Sequence, residues 1–149
     1  WYFCKKSSGD SKKVDGFTDC PQLAHNFIGD DKIISDYIHD VMGLLGWENI
    51  LKVTGAPDGI IRMKTNLLLK TQSTPNTPHI DYPDPHIVLL YYVNDSSGPT
   101  TFYNRKFKVK KEVMPKKGRI LIFDGSIYHS STPPTTNDYR CVINFDLKS

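Results

Sequence analysis

From about residue 49 onward the chain consists of short apolar runs separated by turn signals, and this pattern limits what it can fold into. Ile60–Lys70 reads as a long strand and His86–Asn94 (HIVLLYYVN) as an apolar one. Thr100–Tyr103, Phe107–Val113, Arg119–Phe123 and Tyr139–Leu147 read as further strands. Between them stand the turns Ala56-Pro57-Asp58-Gly59, Asn94–Pro99 and Pro115–Gly118, a Thr71–Pro78 loop with two prolines, and a polar Ser130–Asn137 loop. Strands do not alternate with helices, so a parallel α/β sheet is not expected. The clearest helical pattern comes earlier. It starts after Gly29 with Asp30 or Asp31 as cap, and Ile33, Ile34, Tyr37, Ile38, Val41, Leu44 and Leu45 make one apolar face. Gly43 and Gly46 weaken its C-terminal end. Residues 5–16 (KKSSGDSKKVDG) are polar and read as a mobile loop or arm.

The expectation is one domain over 1–149, mainly β with N-terminal helical cover (α+β): residues 1–48 form an arm and helical support, and 49–149 a β-sandwich or jelly-roll core. At 149 residues a real hydrophobic core is attainable. The formal charge of +3 does not demand a nucleic-acid partner, though it permits an acidic substrate. Arg105–Arg119 holds eight basic residues against Glu112, and a solvated edge strand is favoured there over a nucleic-acid surface, because no aromatics interleave. No apolar run approaches the ~20 residues of a membrane span. Cys4, Cys20 and Cys141 form no C-x-x-C pair, which argues against a thiolate zinc site and for a reducing, cytoplasmic compartment. The chain opens on Trp1 rather than Met, so a preceding segment is expected and targeting stays open.

Chemistry concentrates in His79-Ile80-Asp81 and in His129. A period of two puts residues 79 and 81 on one face of an extended segment, where an imidazole and a carboxylate reach one ion. A second imidazole from a distant strand completes a facial triad that leaves open coordination positions, the ligand set of non-haem Fe(II) oxygenases. H-x-D alone is weak, and the tripeptide by itself fits a loop histidine beside a solvated aspartate. Its place before an apolar strand, with His129 after the Gly118–Ser126 strand and turn, shifts the balance. Arg140 follows eleven residues after His129. A guanidinium suits a buried carboxylate such as the far end of 2-oxoglutarate. Val142, Asn144 and Asp146 share its face, so Arg140 could equally lie on a solvent-facing stripe. His86 starts an apolar strand and is expected to pack or to support the site from behind. His25 and His39 belong to the helical N-terminal part.

These motifs, in this order, resemble the prolyl-4-hydroxylase-like branch of the 2-oxoglutarate and Fe(II)-dependent oxygenases over roughly residues 60–147. Pro78-His79-Ile80-Asp81 is similar to the metal-binding H-x-D, Leu90-Tyr91-Tyr92-Val93-Asn94 to the paired-tyrosine strand, and Gly98-Pro99-Thr100-Thr101-Phe102 to the glycine turn. Lys117–Phe123, His129-Ser130 and Tyr139-Arg140 are similar to the later strand, the distal ligand and the end strand. Pro99 departs from the second glycine common in that turn. The resemblance implies a double-stranded β-helix (jelly roll, cupin-like). It implies His79, Asp81 and His129 as iron ligands, with Arg140 and the Tyr92 hydroxyl on the far carboxylate of 2-oxoglutarate; for Tyr92 core packing is the alternative. It implies Fe(II), 2-oxoglutarate and O2, with ascorbate as an accessory reductant, and C–H hydroxylation with release of succinate and CO2. The substrate is a prolyl or other peptidyl residue, or else a small molecule or nucleobase. A non-catalytic binding module and a zinc hydrolase are the competing readings; the hydrolase lacks an evident general base and leaves Arg140 unexplained.

Overall fold

The computed structural model describes residues 1–6, 14–54, 59–71 and 74–149. In chain order the elements are β1 (Tyr2–Cys4), β2 (Gln22–Gly29), β3 (Lys32–Ile33), α1 (Ile38–Leu45), α2 (Trp47–Thr54), β4 (Ile60–Leu69), β5 (His86–Tyr92), β6 (Thr100–Tyr103), β7 (Val109–Val113), β8 (Ile120–Asp124), β9 (His129–Ser131) and β10 (Tyr139–Lys148). The larger sheet runs β1-β2-β4-β10-β5-β8, with β3 paired to β2, and the smaller runs β7-β6-β9. Every pairing is antiparallel. His79 extends the smaller sheet by pairing with His129 beyond β9. Two facing antiparallel sheets with this connectivity make the jelly roll of a double-stranded β-helix.

Alternation along β4 and β10 explains the layers. On β4, Ile61, Met63 and Thr65 are buried on one face, while Arg62, Lys64 and Asn66 take the other. Met63 joins Phe27, Ile28, Leu89, Phe145 and Leu147 in a core closed by Ile38 of α1 and Ile50 of α2. Trp47 stacks on Phe145 with ring centroids 5.3 Å apart. The helices thus cover one face of the larger sheet, and its other face looks into the space between the sheets.

The N-terminal third corrects the sequence reading. Residues 22–29 form a strand, and Asp30 and Asp31 do not cap a helix. Both adopt positive φ (47° and 60°), the geometry of a two-residue hairpin turn from β2 to β3. The helix starts at Ile38, and Ile33 belongs to β3. Gly46, at φ 63°, ends α1 with its N–H turned back to the Gly43 and Met42 carbonyls. A second helix then occupies 47–54, where the β-rich part was expected to begin. The expected core strands are present, with Phe107 (φ 56°) in a turn rather than at a strand start. Much of the expected arm (7–13), most of the 56–59 turn and residues 72 and 73 of the proline loop lie outside the described residues. Among the described residues no helix is long and apolar enough to cross a membrane.

Candidate metal centre

His79, Asp81 and His129 each offer one ligand atom, and these atoms all lie within 4.8 Å of one another. The backbone brings the two imidazoles together: the N–H of residue 79 donates to the carbonyl of residue 129 and the reverse, both at 3.0 Å. A mutually hydrogen-bonded antiparallel pair holds its side chains side by side, and the rings sit 5.0 Å apart. Each ring is also fixed in rotation. Nδ1 of His79 lies 2.9 Å from the Thr77 carbonyl and Nδ1 of His129 lies 3.1 Å from the Ile127 carbonyl. A carbonyl only accepts, so Nδ1 carries the proton and Nε2 faces the centre.

Asp81 is aimed from behind. Arg62 Nη2 donates to its Oδ1 at 2.7 Å, and Asn144 Nδ2 to its Oδ2 at 3.2 Å. Arg62 also donates through Nε to Asp146 Oδ2 at 2.6 Å. Burial alone would raise the Asp81 carboxyl, but the hydrogen bond and charge of His129, then Lys64 and His79, hold it well below the ordinary carboxylate range. Burial and the neighbouring His129 bring His79 down to about 4. Burial also opposes a proton on His129, yet the Asp81 carboxylate 3.2 Å away outweighs it and raises that imidazole. The donor set therefore suits a cation: one carboxylate held ionised, one imidazole held neutral, and a second imidazole beside the carboxylate.

The triad lines a cavity that also takes in Arg140, Thr100, Lys64, Asn66 and Asn144. Arg140, only 2% exposed, answers the question its sequence left open: the polar face of β10 points inward, where Asn144 and Asp146 are buried with it. Its Nε donates to the Gly98 carbonyl at 3.0 Å and its Nη2 to Thr100 Oγ1 at 2.8 Å, which leaves the other N–H groups for a ligand. Tyr92 is fully buried and donates to Thr100 Oγ1 at 2.7 Å. The Arg140 guanidinium carbon lies 5.8 Å from the centroid of its ring. Among the described residues, Asn66 Oδ1 and Asn144 Oδ1, both on cavity-lining residues, are buried without a hydrogen-bond partner, as suits a site built for a polar guest.

His86 takes no part in the triad. It is buried, with Nδ1 2.7 Å from the Asp84 carbonyl and Nε2 4.0 Å from Asp146 Oδ1, so it packs behind Arg62's second carboxylate. His25 meets Ser35 Oγ at 3.0 Å on β2, and His39 is exposed on α1. The lysine-rich β7 is an exposed edge strand of the smaller sheet. Sequence reasoning missed Arg62 and Lys64. The alternation R62-x-K64-x-N66 against I61-x-M63 was their only signal, and it reads equally well as a solvent face.

No protein-family model matches the sequence, and no curated protein matches it. Solved structures do match. An oxidoreductase of the 2OG-Fe(II) oxygenase family from Burkholderia pseudomallei superposes with a TM-score of 0.70 at 13% identity, over 91% of this chain and 70% of that one. A prolyl-4-hydroxylase from Pseudomonas putida gives 0.55 at 11%, over 86% and 69%. A Trichoplax adhaerens prolyl hydroxylase, solved with a hypoxia inducible factor peptide fragment, gives 0.56 at 17%, over 85% of this chain and 63% of that one. The chain therefore shares the double-stranded β-helix fold of the 2-oxoglutarate–Fe(II) oxygenases and prolyl 4-hydroxylases.

Proposed function

We propose that the chain is a 2-oxoglutarate- and Fe(II)-dependent dioxygenase that hydroxylates a C–H bond of a prolyl or other peptidyl residue, releasing succinate and CO2. One observation carries the reading: His79, Asp81 and His129 converge on a cavity that also contains a buried guanidinium, Arg140. A hydrolytic zinc site does not by itself explain that cation, whereas the far carboxylate of an oxo acid does. In this reading His79 Nε2, an Asp81 oxygen and His129 Nε2 hold Fe(II), and Arg140 receives the far carboxylate of 2-oxoglutarate. Tyr92 acts one step back, its hydroxyl fixing Thr100, which in turn fixes Arg140. When bound, the metal and its oxo acid supply the oxidising step, with ascorbate as an accessory reductant. The residues of the chain hold the ligands, orient the oxo acid and exclude water. The peptide seen with the Trichoplax enzyme supports a peptidyl substrate here. Cys4, Cys20 and Cys141 are free, which supports a reducing, cytoplasmic setting.

The test is succinate formation from 2-oxoglutarate under air with Fe(II) and ascorbate. Wild type is expected to turn over, slowly alone and faster with its substrate; proline-rich peptides, free amino acids and nucleosides are the arms of the substrate screen. Asp81→Ala should abolish turnover. Arg140→Met should raise the 2-oxoglutarate requirement at least tenfold with metal affinity nearly intact, since a buried charge-assisted pair is worth about 1.5–3 kcal/mol. Equal loss of metal and oxo-acid binding in Arg140→Met would contradict this division of labour.

A further inference from the structure

Beyond the charge it lends to Asp81, Lys64 is the charged cavity residue to which the reading above gives no ligand. It lies on β4, on the same face as Arg62 and Asn66, and lines the cavity with His79 and Asp81. Among the described residues no direct ion pair joins its ammonium to a carboxylate, although its charge acts on Asp81 and Asp146 from further off. Arg62, two residues away, is paired with both Asp81 and Asp146, so neither carboxylate has to serve Lys64. Three cationic side chains, Arg62, Lys64 and Arg140, thus stand around two buried carboxylates, before any metal adds its charge. A half-buried ammonium that is not in direct contact with either acid gains a partner from an arriving anion.

Its position says which anion. Lys64 faces Asn144 across the β4–β10 pairing, and Asn144 holds Asp81. Arg140 lies four residues further along β10, about 13 Å at strand rise. The two cations therefore stand at opposite ends of the cavity, Lys64 level with the metal ligands and Arg140 remote from them. We propose that Lys64 is the second anion-binding group of this cavity, its ammonium pairing with the carboxylate of the oxo acid that lies against the metal ligands while Arg140 takes the far one. The inference rests on the oxygenase reading and adds to it a positioning residue for the near carboxylate.

The experiment is equilibrium binding by calorimetry to the full chain loaded with redox-inert Mn(II), without oxygen. Two ligands are compared: 2-oxoglutarate, and 2-oxopentanoate, which keeps the near carboxylate and lacks the far one. Lys64→Met should weaken both by the same factor, about tenfold or more, as expected for loss of a charge-assisted contact. Arg140→Met should weaken 2-oxoglutarate alone. Mn(II) affinity in Lys64→Met should stay within about threefold of wild type, and its thermal midpoint should not fall. Lys64→Gln should repeat the pattern, and stands in should Met disturb the packing. Unchanged affinities in both Lys64 variants would overturn the proposal and leave the oxygenase reading standing. Weakening of 2-oxoglutarate alone would overturn it too, because Lys64 would then serve the far carboxylate. A wild type that binds Mn(II) but neither oxo acid would overturn the oxygenase reading and this inference with it.

Discussion

At the residue scale the site is organised by one guanidinium shared between two carboxylates. Arg62 donates to Asp81 at 2.7 Å and to Asp146 at 2.6 Å. The two acids do not divide it evenly. Asp81 has the imidazoles and Lys64 as well and stays ionised, whereas burial, then the charge of Asp81, pushes Asp146 up to about 6. A carboxyl raised on folding lends stability that is complete below its unfolded pKa near 4 and is lost as pH rises through about 6. Removing it should therefore help most at neutral and alkaline pH. Relative to Asp146→Asn, metal-free wild type should gain about 1 kcal/mol between pH 8 and pH 5, measured from urea midpoints. Parallel pH curves for the two proteins would contradict that. The triad and Arg140 were legible in the sequence because H-x-D, a later histidine and a strand arginine follow one another in a recognisable order. Arg62 and Lys64 were not, since a polar stripe on a strand looks the same whether water or a cavity faces it.

At the element scale, the strands that carry the site were easier to read than those that frame it. β5 and β10 announce themselves by continuous apolar or alternating runs. β2 (QLAHNFIG) does not: its alternation is broken at the irregular pairing between Asn26 and Ile28, and the Asp30-Asp31 pair after it suits a helix cap as well as a hairpin turn. Only pairing with β4 decides between the two, and that is tertiary information. The turn that opens β6 depends on a glycine for a different reason. A Cβ on Gly98 would run into the Thr132 carbonyl oxygen and come within 2.8 Å of the Pro133 carbonyl carbon. The Gly98 carbonyl is also the acceptor for Arg140 Nε. Gly98→Ala should therefore cost about 2–3 kcal/mol of stability by overpacking against backbone, and weaken 2-oxoglutarate binding with it. A urea midpoint equal to wild type would show that the turn has slack the structure does not display.

At the scale of the whole molecule, the candidate metal centre is a joint between the two sheets. His79 and His129 belong to the smaller sheet, while Asp81 is held by Arg62 and Asn144 of the larger one. A cation bound by all three ties the sheets together and binds only the folded chain. At a hundredfold excess over its dissociation constant it should stabilise the protein by about 2.7 kcal/mol. Differential scanning with and without Mn(II) checks this, and the shift should vanish in His129→Ala. The same midpoint shift in that variant would place the ion elsewhere.

The most direct measurement is an anaerobic titration of the metal-free chain with Fe(II) and then 2-oxoglutarate, followed in the visible region. A weak metal-to-ligand charge-transfer band should grow in with one equivalent of each, fail to form in Asp81→Ala, and require more 2-oxoglutarate in Arg140→Met. A wild-type spectrum that stays featureless, although Fe(II) is shown to be bound, would contradict an oxo acid chelating a metal held by His79, Asp81 and His129.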